Sequence, residues 1–462
     1  MHLDRPPGRG RGGVGEGVLT VAARQADGLA APGLAADPAL LLGDAGLSRH
    51  EGALVDGGVT LTSVAREFGT PAYVYNADVI RRQFRELDEA LAGVPHRICF
   101  AVKANSNLGV LRVLRDLGAG ADIVSDGEMA RALAAGFPGD RIVFSGVGKR
   151  EDELRAAIGA GIGHVNVESM AELELLAHLA AGATAPVPVG IRVNPDVTAE
   201  THPYISTGKR GIKFGIPLDQ VRPAAAVIRA HPGLELVALA MHIGSQLTDT
   251  QPFAEGAARL VDLVHAVRAD GTTTLREFDV GGGLGIRYHE EIAISPRDFA
   301  AALVPLVEPT GLTLYLEPGR FLVGACGVLL TRVLFRKHSG GKEFVIVDAG
   351  MNDLERPSRY QAYHAIIPVQ QRPGVPFVAD VVGPVCETGD FFALDRDLAP
   401  VAPGDLVAVL CAGAYGFVMA SNYNTRPLPP EVIIDGGRAW LSRPRQALAS
   451  LYSSERVTSE ER

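Results

Sequence analysis

The feature that most constrains this chain is a series of eight short β-rich runs, alternating with helix-like stretches, between about residues 97 and 317. They read RICFAV (97–102), ADIV (121–124), RIVFS (141–145), HVNV (164–167), VPVGIRV (187–193), LVALAMHI (236–243), REFDV (276–280) and LTLYLE (312–317). Between them lie segments such as GEMARALAAG and SMAELELLAHLA, whose apolar residues recur at helical spacing. Strands that are apolar on both faces need cover on both faces, which crossover helices supply to a parallel sheet. Eight such units predict a closed (β/α)8 barrel, with an open doubly wound sheet as the rival that the pattern alone leaves standing.

The texture changes after about residue 325. GKEFVIVDAG, VPFVADVVG, DLVAVLCAGA and EVIIDGG are strand-like and punctuated by Gly and Pro, which predicts an antiparallel β domain. Ahead of the barrel, LTSVAREFGTPAYVYN (61–76) ends in a short strand that can join that domain. The predicted fold class is therefore α/β plus all-β. A TIM-type barrel over residues 77–324 is inserted into a discontinuous β domain built from residues 49–76 and 325–450. A chain of 462 residues, 47% of them hydrophobic, is long and apolar enough for two such cores. Residues 1–48 contain RPPGRGRGGVGEG, no steady period and no uninterrupted apolar segment of the secretory type. They predict a disordered extension, with a nucleic-acid-binding arm as the sharper alternative.

Charge and composition exclude several partners. The formal net charge of -9, without a basic block in the folded part, argues against nucleic acid. The longest apolar stretch, around residues 310–335, is interrupted by Glu317 and Arg320, so no membrane span is expected. Cys99, Cys326, Cys386 and Cys411 lack CxxC spacing and fit free thiols in a reducing cytoplasm. No Cys/His cluster has zinc spacing, so no metal is expected, and YHEE (288–291) lacks HExxH spacing and reads as a solvated loop.

In such barrels the active site sits at the carboxyl ends of the strands. Here the runs finish at Lys103, Ser125, Ser145, Glu168, Arg192 with Asn194, His242 with Ser245, Gly281–Gly283, and Glu317. Scattered surface polarity would not favour one end so consistently. Lys103 by itself reads as a strand-end lysine reaching solvent; placed on the first strand with a phosphate site downstream, it reads as a desolvated nucleophilic amine with a lowered pKa. GGGLG (281–285) lets backbone N–H groups approach a phosphate, although a glycine turn after a strand is common. Ile286 stands where a dinucleotide fingerprint needs its third glycine, so a Rossmann site is excluded. In LEPGR (316–320), Glu317 and Arg320 form either a structural ion pair or part of a cofactor site, the carboxylate keeping a cofactor's ring nitrogen protonated. In the β domain, RPSRY (356–360), GPVCETGD (383–390) and GAYGFVMASNYN (413–424) mix charged and polar groups into apolar strands, which is costly unless they line a site. Cys386 there is alternatively a small core residue.

These stretches, with FAVKANSN, ADIVSDGE, RVNPDVTAETHPYISTG, KFGI, HIGSQL, VGGGLGI, LEPGRFLV and DAGMNDLERPSRYQAYH, occur from about residue 70 to 435. In kind and order they resemble the pyridoxal-phosphate-dependent diaminopimelate decarboxylases, of the alanine-racemase-like barrel group. The resemblance implies that Lys103 carries pyridoxal 5'-phosphate covalently and that His242 stacks on its ring. It implies that Glu317 pairs with the ring nitrogen and that Asp122, Arg192 and Pro318 belong to the cofactor's surroundings. Ser245, the turn Gly281, Gly282 and Gly283, the Gly319–Arg320 backbone and Tyr415 would enclose the phosphate. Arg320, Arg356, Tyr360, Glu387 and Tyr415 would hold the substrate, and Cys386 would donate the proton. The CETGD loop would come from the partner subunit, so a homodimer with shared sites is implied. Glu355, where an apolar residue is usual, and the spelling KRGIKFGI depart from the family pattern and bear on substrate positioning.

The implied reaction is decarboxylation of meso-2,6-diaminopimelate to L-lysine. Two arginines match a distal carboxylate, and Glu387 a distal ammonium. Ornithine and lysine, as substrates, present only an ammonium there, and their decarboxylases place Asp after the cysteine. Decarboxylases of other carboxylated or basic amino acids and an inactive regulatory homologue are the alternatives.

Overall fold

The structure is a computed structural model, and it describes residues 38–198 and 211–457. Each of the eight runs forms a strand: His96–Ala101, Gly120–Ile123, Ile142–Phe144, His164–Val167, Val187–Asn194, Leu234–Met241, Glu277–Asp279 and Thr313–Leu316. Each pairs in parallel with the next in sequence, and Thr313–Leu316 pairs with His96–Ala101, so the sheet closes and the doubly wound rival falls. The strands are almost wholly buried because side chains fill the inside and helices cover the outside. Several helices start on Asn or Ser caps in the loops that leave the strands: Asn107, Ser125 and Ser169 each accept a hydrogen bond from the first helical turn. Loops at the barrel's mouth are thereby held at both ends.

The second sheet has the order Phe391–Leu398, Phe377–Val382, Lys342–Val347, Gly327–Ser339, Ala72–Asn76, Glu431–Asp435, Arg438–Arg443, with Leu406–Val409 and Ile366–Pro368 branching from Gly327–Ser339. Ala72–Asn76, ahead of the barrel, pairs with Gly327–Ser339 behind it. The barrel is thus an insertion in the sheet domain. The expectation of an antiparallel sheet is corrected in part. Lys342–Val347 with Phe377–Val382, and Ala72–Asn76 with Glu431–Asp435, are parallel pairs. Both pairs are joined by long connections, which relieves them of the hairpin geometry that forces antiparallel pairing.

The boundary of the amino-terminal extension also shifts. Pro38–Asp44 is a helix and Leu47–His50 a strand in a small three-stranded sheet. Leu41, Ala45 and Leu47 are buried in an apolar cluster with Leu54, Leu61, Val74 and Ile434, which supplies the packing that their local sequence does not announce. Residues 1–37 of the expected extension lie outside the described residues. No helix among the described residues is long and apolar enough to cross a membrane.

Candidate active site

The floor of the site is a cluster of acids around one amine. Lys103 lies in a single turn, Val102–Ala104, that ends the first barrel strand. Its Nζ donates to Asp122 Oδ2 at 2.7 Å, at the end of the neighbouring strand. Burial disfavours the ammonium, but the charges of Asp122 and Glu317 outweigh it and hold the Lys103 pKa above its ordinary value. This corrects the expected lowering: desolvation is present, and nearby carboxylates overcome it. Glu317 is buried at the end of the eighth strand, and burial, then Asp122 and Asp279, push its carboxyl well up. Asp279, fully buried on the seventh strand, is raised to about 6 by burial and meets Glu317 side chain to side chain. Ser145 Oγ donates to Glu317 Oε1 at 3.4 Å and accepts from Asn166 Nδ2 at 3.2 Å.

The glycine turn is compressed between strand ends. A Cβ at Gly281 would lie 2.4 Å from Met241 O and one at Gly282 2.3 Å from Glu317 O, so only glycine fits. Gly281 N–H donates to Asp279 Oδ1 at 2.7 Å, and Gly282 N–H to His242 Nδ1 at 3.1 Å. His242 Nδ1 is therefore an acceptor, and the ring is neutral: burial, then Arg192 and Lys103, lower its pKa well below the usual histidine value. Arg192 pairs with Glu168 at 2.9 Å. Glu168 also accepts from Gly146 N and Gly215 N, tying three loops together.

Beside this cluster lies a cavity of about 360 Å³ lined by His242, Ser245, Tyr288, Arg320, Arg356, Tyr360 and Tyr415, among others. Arg320 donates to Ser245 Oγ at 3.0 Å and to Tyr288 Oη at 2.6 Å, while its Nε has no partner among the described residues. Arg356 donates through Nε to His364 Nε2 at 3.3 Å. His364 donates in turn through Nδ1 to Leu410 O at 2.8 Å, a tautomer set by that network, and burial followed by the Arg356 charge lowers its pKa to about 3. Both guanidinium groups are buried, and neither has a carboxylate partner among the described residues. Glu355 pairs with Arg359 at 3.2 Å, so its departure from the family pattern does not quench Arg356. Tyr415 reaches the mouth from the sheet domain: its N–H donates to Ala104 O at 2.8 Å, its φ is 55°, and its hydroxyl lies 3.3 Å from the position of a Cβ on Gly319. Gly319 follows Pro318, whose carbonyl accepts from Ala101 N.

Two expected site residues stand apart. Cys386 and Glu387 are exposed and do not line this cavity; the loop is held by Asn424, which accepts from Cys386 N at 2.8 Å. YHEE is corrected from solvated loop to cavity wall: Tyr288 is 4% exposed and Glu291 also lines the cavity, its Oε2 accepting from Tyr288 N and His289 N. Asp279, Phe214, Tyr288, Glu291 and His364 are the residues that sequence reasoning passed over. Asp279, in the last position of a strand but one before the glycine turn, carried the only local signal. The part of RVNPDVTAETHPYISTG from residue 199 on, and Lys209 and Arg210 of KRGIKFGI, lie outside the described residues.

These features fit pyridoxal phosphate. A lysine amine stands at the barrel mouth, a neutral imidazole is fixed by a backbone N–H, and buried Asp122 Oδ1 and Arg320 Nε lack partners among the described residues. A glycine turn with no room for side chains completes the set. Fold and site together define a class, a barrel that carries pyridoxal phosphate at its carboxyl-terminal mouth and is paired with a sheet domain. The profile described as "Pyridoxal-dependent decarboxylase, pyridoxal binding domain" matches residues 77–324, and the chain belongs to this family. It is 51% identical to the diaminopimelate decarboxylase of Pseudomonas aeruginosa over 86% of this chain and 95% of that one. Against the Vibrio cholerae diaminopimelate decarboxylase it is 47% identical, over 87% and 96% of the two chains. The structure of diaminopimelate decarboxylase from Helicobacter pylori complexed with L-lysine is similar at a TM-score of 0.82 and 41% identity, over 85% of this chain and 98% of that one.

Proposed function

We propose that this enzyme removes one carboxyl group from meso-2,6-diaminopimelate, as carbon dioxide, and releases L-lysine. The observation that carries the substrate assignment is the pair Arg320 and Arg356, two buried guanidinium groups on one cavity wall without an acidic partner among the described residues. Buried charge without a partner is costly, and a substrate carboxylate offsets it with charge-assisted hydrogen bonds. The high identity to diaminopimelate decarboxylases supports the same reading.

The residues divide the work. Lys103 would hold pyridoxal phosphate covalently until the substrate amine takes its place. Pyridoxal phosphate, when bound, supplies the electron sink for the pair left by departing carbon dioxide. Glu317 would face the ring nitrogen and keep a proton there, and neutral His242 would offer its ring face without adding positive charge. Ser245, Gly281–Gly283, Gly319 and Tyr415 would surround the phosphate, with Asp122 and Arg192 close by. Arg320, Arg356 and Tyr360 grip the distal carboxylate. Cys386 delivers a proton to the carbon that lost its carboxyl, and Glu387 receives the distal ammonium. Both sit on an exposed loop outside their own chain's cavity, which suits a homodimer in which each loop serves the partner's site. The free thiols suit a cytoplasmic enzyme.

Ligands with and without the distal carboxylate test the assignment. The product L-lysine keeps that carboxylate, and cadaverine is the same skeleton without it. Arg356→Met should raise KM for diaminopimelate and Ki for L-lysine about ten- to hundredfold, the worth of one charge-assisted contact at about 1.5–3 kcal/mol. Cadaverine inhibition should change by less than about threefold, a bound well inside one such contact. Equal weakening of all three would remove Arg356 from substrate recognition. A parallel decarboxylation assay with diaminopimelate, ornithine and lysine separates the family alternatives.

A further inference from the structure

The arginine pair poses a physical problem of its own. Two guanidinium groups, both buried on one wall, repel each other, and neither pairs with a carboxylate among the described residues. Both pack against the ring of Tyr288. The centre of the Arg356 guanidinium is 5.0 Å from the ring centroid, and that of Arg320 is 5.7 Å away. The phenol oxygen accepts from Arg320 at 2.6 Å. The imidazole of His364, which accepts from Arg356, packs edge-on against the same ring with centroids 5.4 Å apart. The negative face of an aromatic ring attracts a cation, and the phenol oxygen accepts from a second one. Having accepted from Arg320, the phenol retains its own hydrogen, and Tyr288 lines the cavity beside both arginines.

The support for the ring is rigid. Gln246 bonds to both N–H and C=O of Ile286, two residues earlier. Glu291 accepts from the N–H groups of Tyr288 and His289, closing the turn on the other side. Tyr288 is packed with Ile286 in an apolar cluster of the sheet domain, while Arg320 belongs to the barrel's eighth strand end and Arg356 to the sheet domain. One ring therefore contacts two guanidiniums that come from different domains.

We propose that Tyr288 is a specificity-determining residue: it holds Arg320 and Arg356 apart at a fixed spacing as a two-armed clamp for the distal carboxylate, and His364 fixes the Arg356 arm. This rests on the reading of the cavity as the distal-carboxylate pocket. Tyr288 acts through the arginines and is a positioning residue.

The test uses the loaded enzyme with Tyr288→Phe and Tyr288→Leu, alongside Arg356→Met. Tyr288→Phe keeps the ring and loses the hydroxyl; KM for diaminopimelate and Ki for L-lysine should rise about tenfold, the effect of one hydrogen bond to a charged group. Tyr288→Leu loses the ring face as well and should raise both about a hundredfold. In both variants kcat at saturation, cofactor absorbance and cadaverine inhibition should stay within about threefold of wild type, since no contact to the reacting end is removed. Should Tyr288→Leu not fold, Tyr288→Phe decides alone. If Arg356→Met discriminates lysine from cadaverine but the Tyr288 variants leave both unchanged, or weaken both alike, the positioning role is refuted and the substrate reading stands. If Arg356→Met itself fails to discriminate, the underlying reading falls first.

Discussion

Lys103 illustrates how one residue's chemistry is decided by its neighbours. A strand-end lysine in apolar surroundings would lose its proton more readily, yet Asp122 at 2.7 Å and Glu317 hold that proton on. Capture of pyridoxal phosphate by the apo-protein requires the neutral amine. The raised pKa therefore makes the capture rate climb about tenfold per pH unit through the neutral range, because the neutral fraction grows by that factor below the pKa. Asp122→Asn removes the first of the charges that raise the pKa, so the pKa falls and capture at pH 7 should be faster than in wild type. Lys103→Ala should capture none covalently. Stopped-flow absorbance and borohydride trapping measure both. Slower capture in Asp122→Asn, or trapping on another lysine, would overturn this account. The position of Lys103 at a strand end is legible from FAVKAN; the sign of its shift is not, because it depends on the carboxylates of Asp122 and Glu317, brought to it from two other strands.

At the scale of elements, the barrel is joined to its sheet domain through the strand Ala72–Asn76 and the helix Ala77–Ala90 that follows it directly. Asn76 caps that helix, accepting from Asp78 N at 2.8 Å and Val79 N at 3.2 Å, and its amide donates to Asp56 on the neighbouring small sheet. Asp56 is 1% exposed, and burial raises its pKa to about 7. Its folded pKa lies above its unfolded value near 4, so its contribution to stability is fully present below about pH 4 and is lost as pH rises towards 7. Asp56→Asn keeps the acceptor for Asn76 and cannot ionise. It should gain on the order of 2–4 kcal/mol over wild type at pH 8 and little at pH 4. Denaturant unfolding at the two pH values measures the difference, and an equal shift at both would refute the ionisation account. The strand itself was readable from its alternation with turns; its pairing with residues beyond the barrel was only permitted by the sequence, since strand partners so distant leave no local mark.

For the whole molecule, the separation of the CETGD loop from the cavity in its own chain is the main consequence of the fold. If that loop completes a partner's site, mixing Lys103→Ala chains with Cys386→Ala chains gives mixed dimers in which one of two sites has neither defect. Random exchange makes half the dimers mixed, so about a quarter of wild-type activity should return. No recovery, with exchange verified by mass, would place both residues in one chain's site. Much of this architecture is local in origin. The period of apolar runs implies parallel strands and covering helices, and the polar residues that end those runs must gather at one mouth once the barrel closes. Those conclusions follow from covalent order alone, because strand direction and side-chain alternation are short-range. Tertiary packing alone decided that Tyr288 contacts two arginines, that Leu41 and Leu47 are buried, and that Asp279 and Glu317 come together. It also decided which charges a buried group sees, because desolvation and Coulomb energy depend on distance in space, which sequence separation does not record.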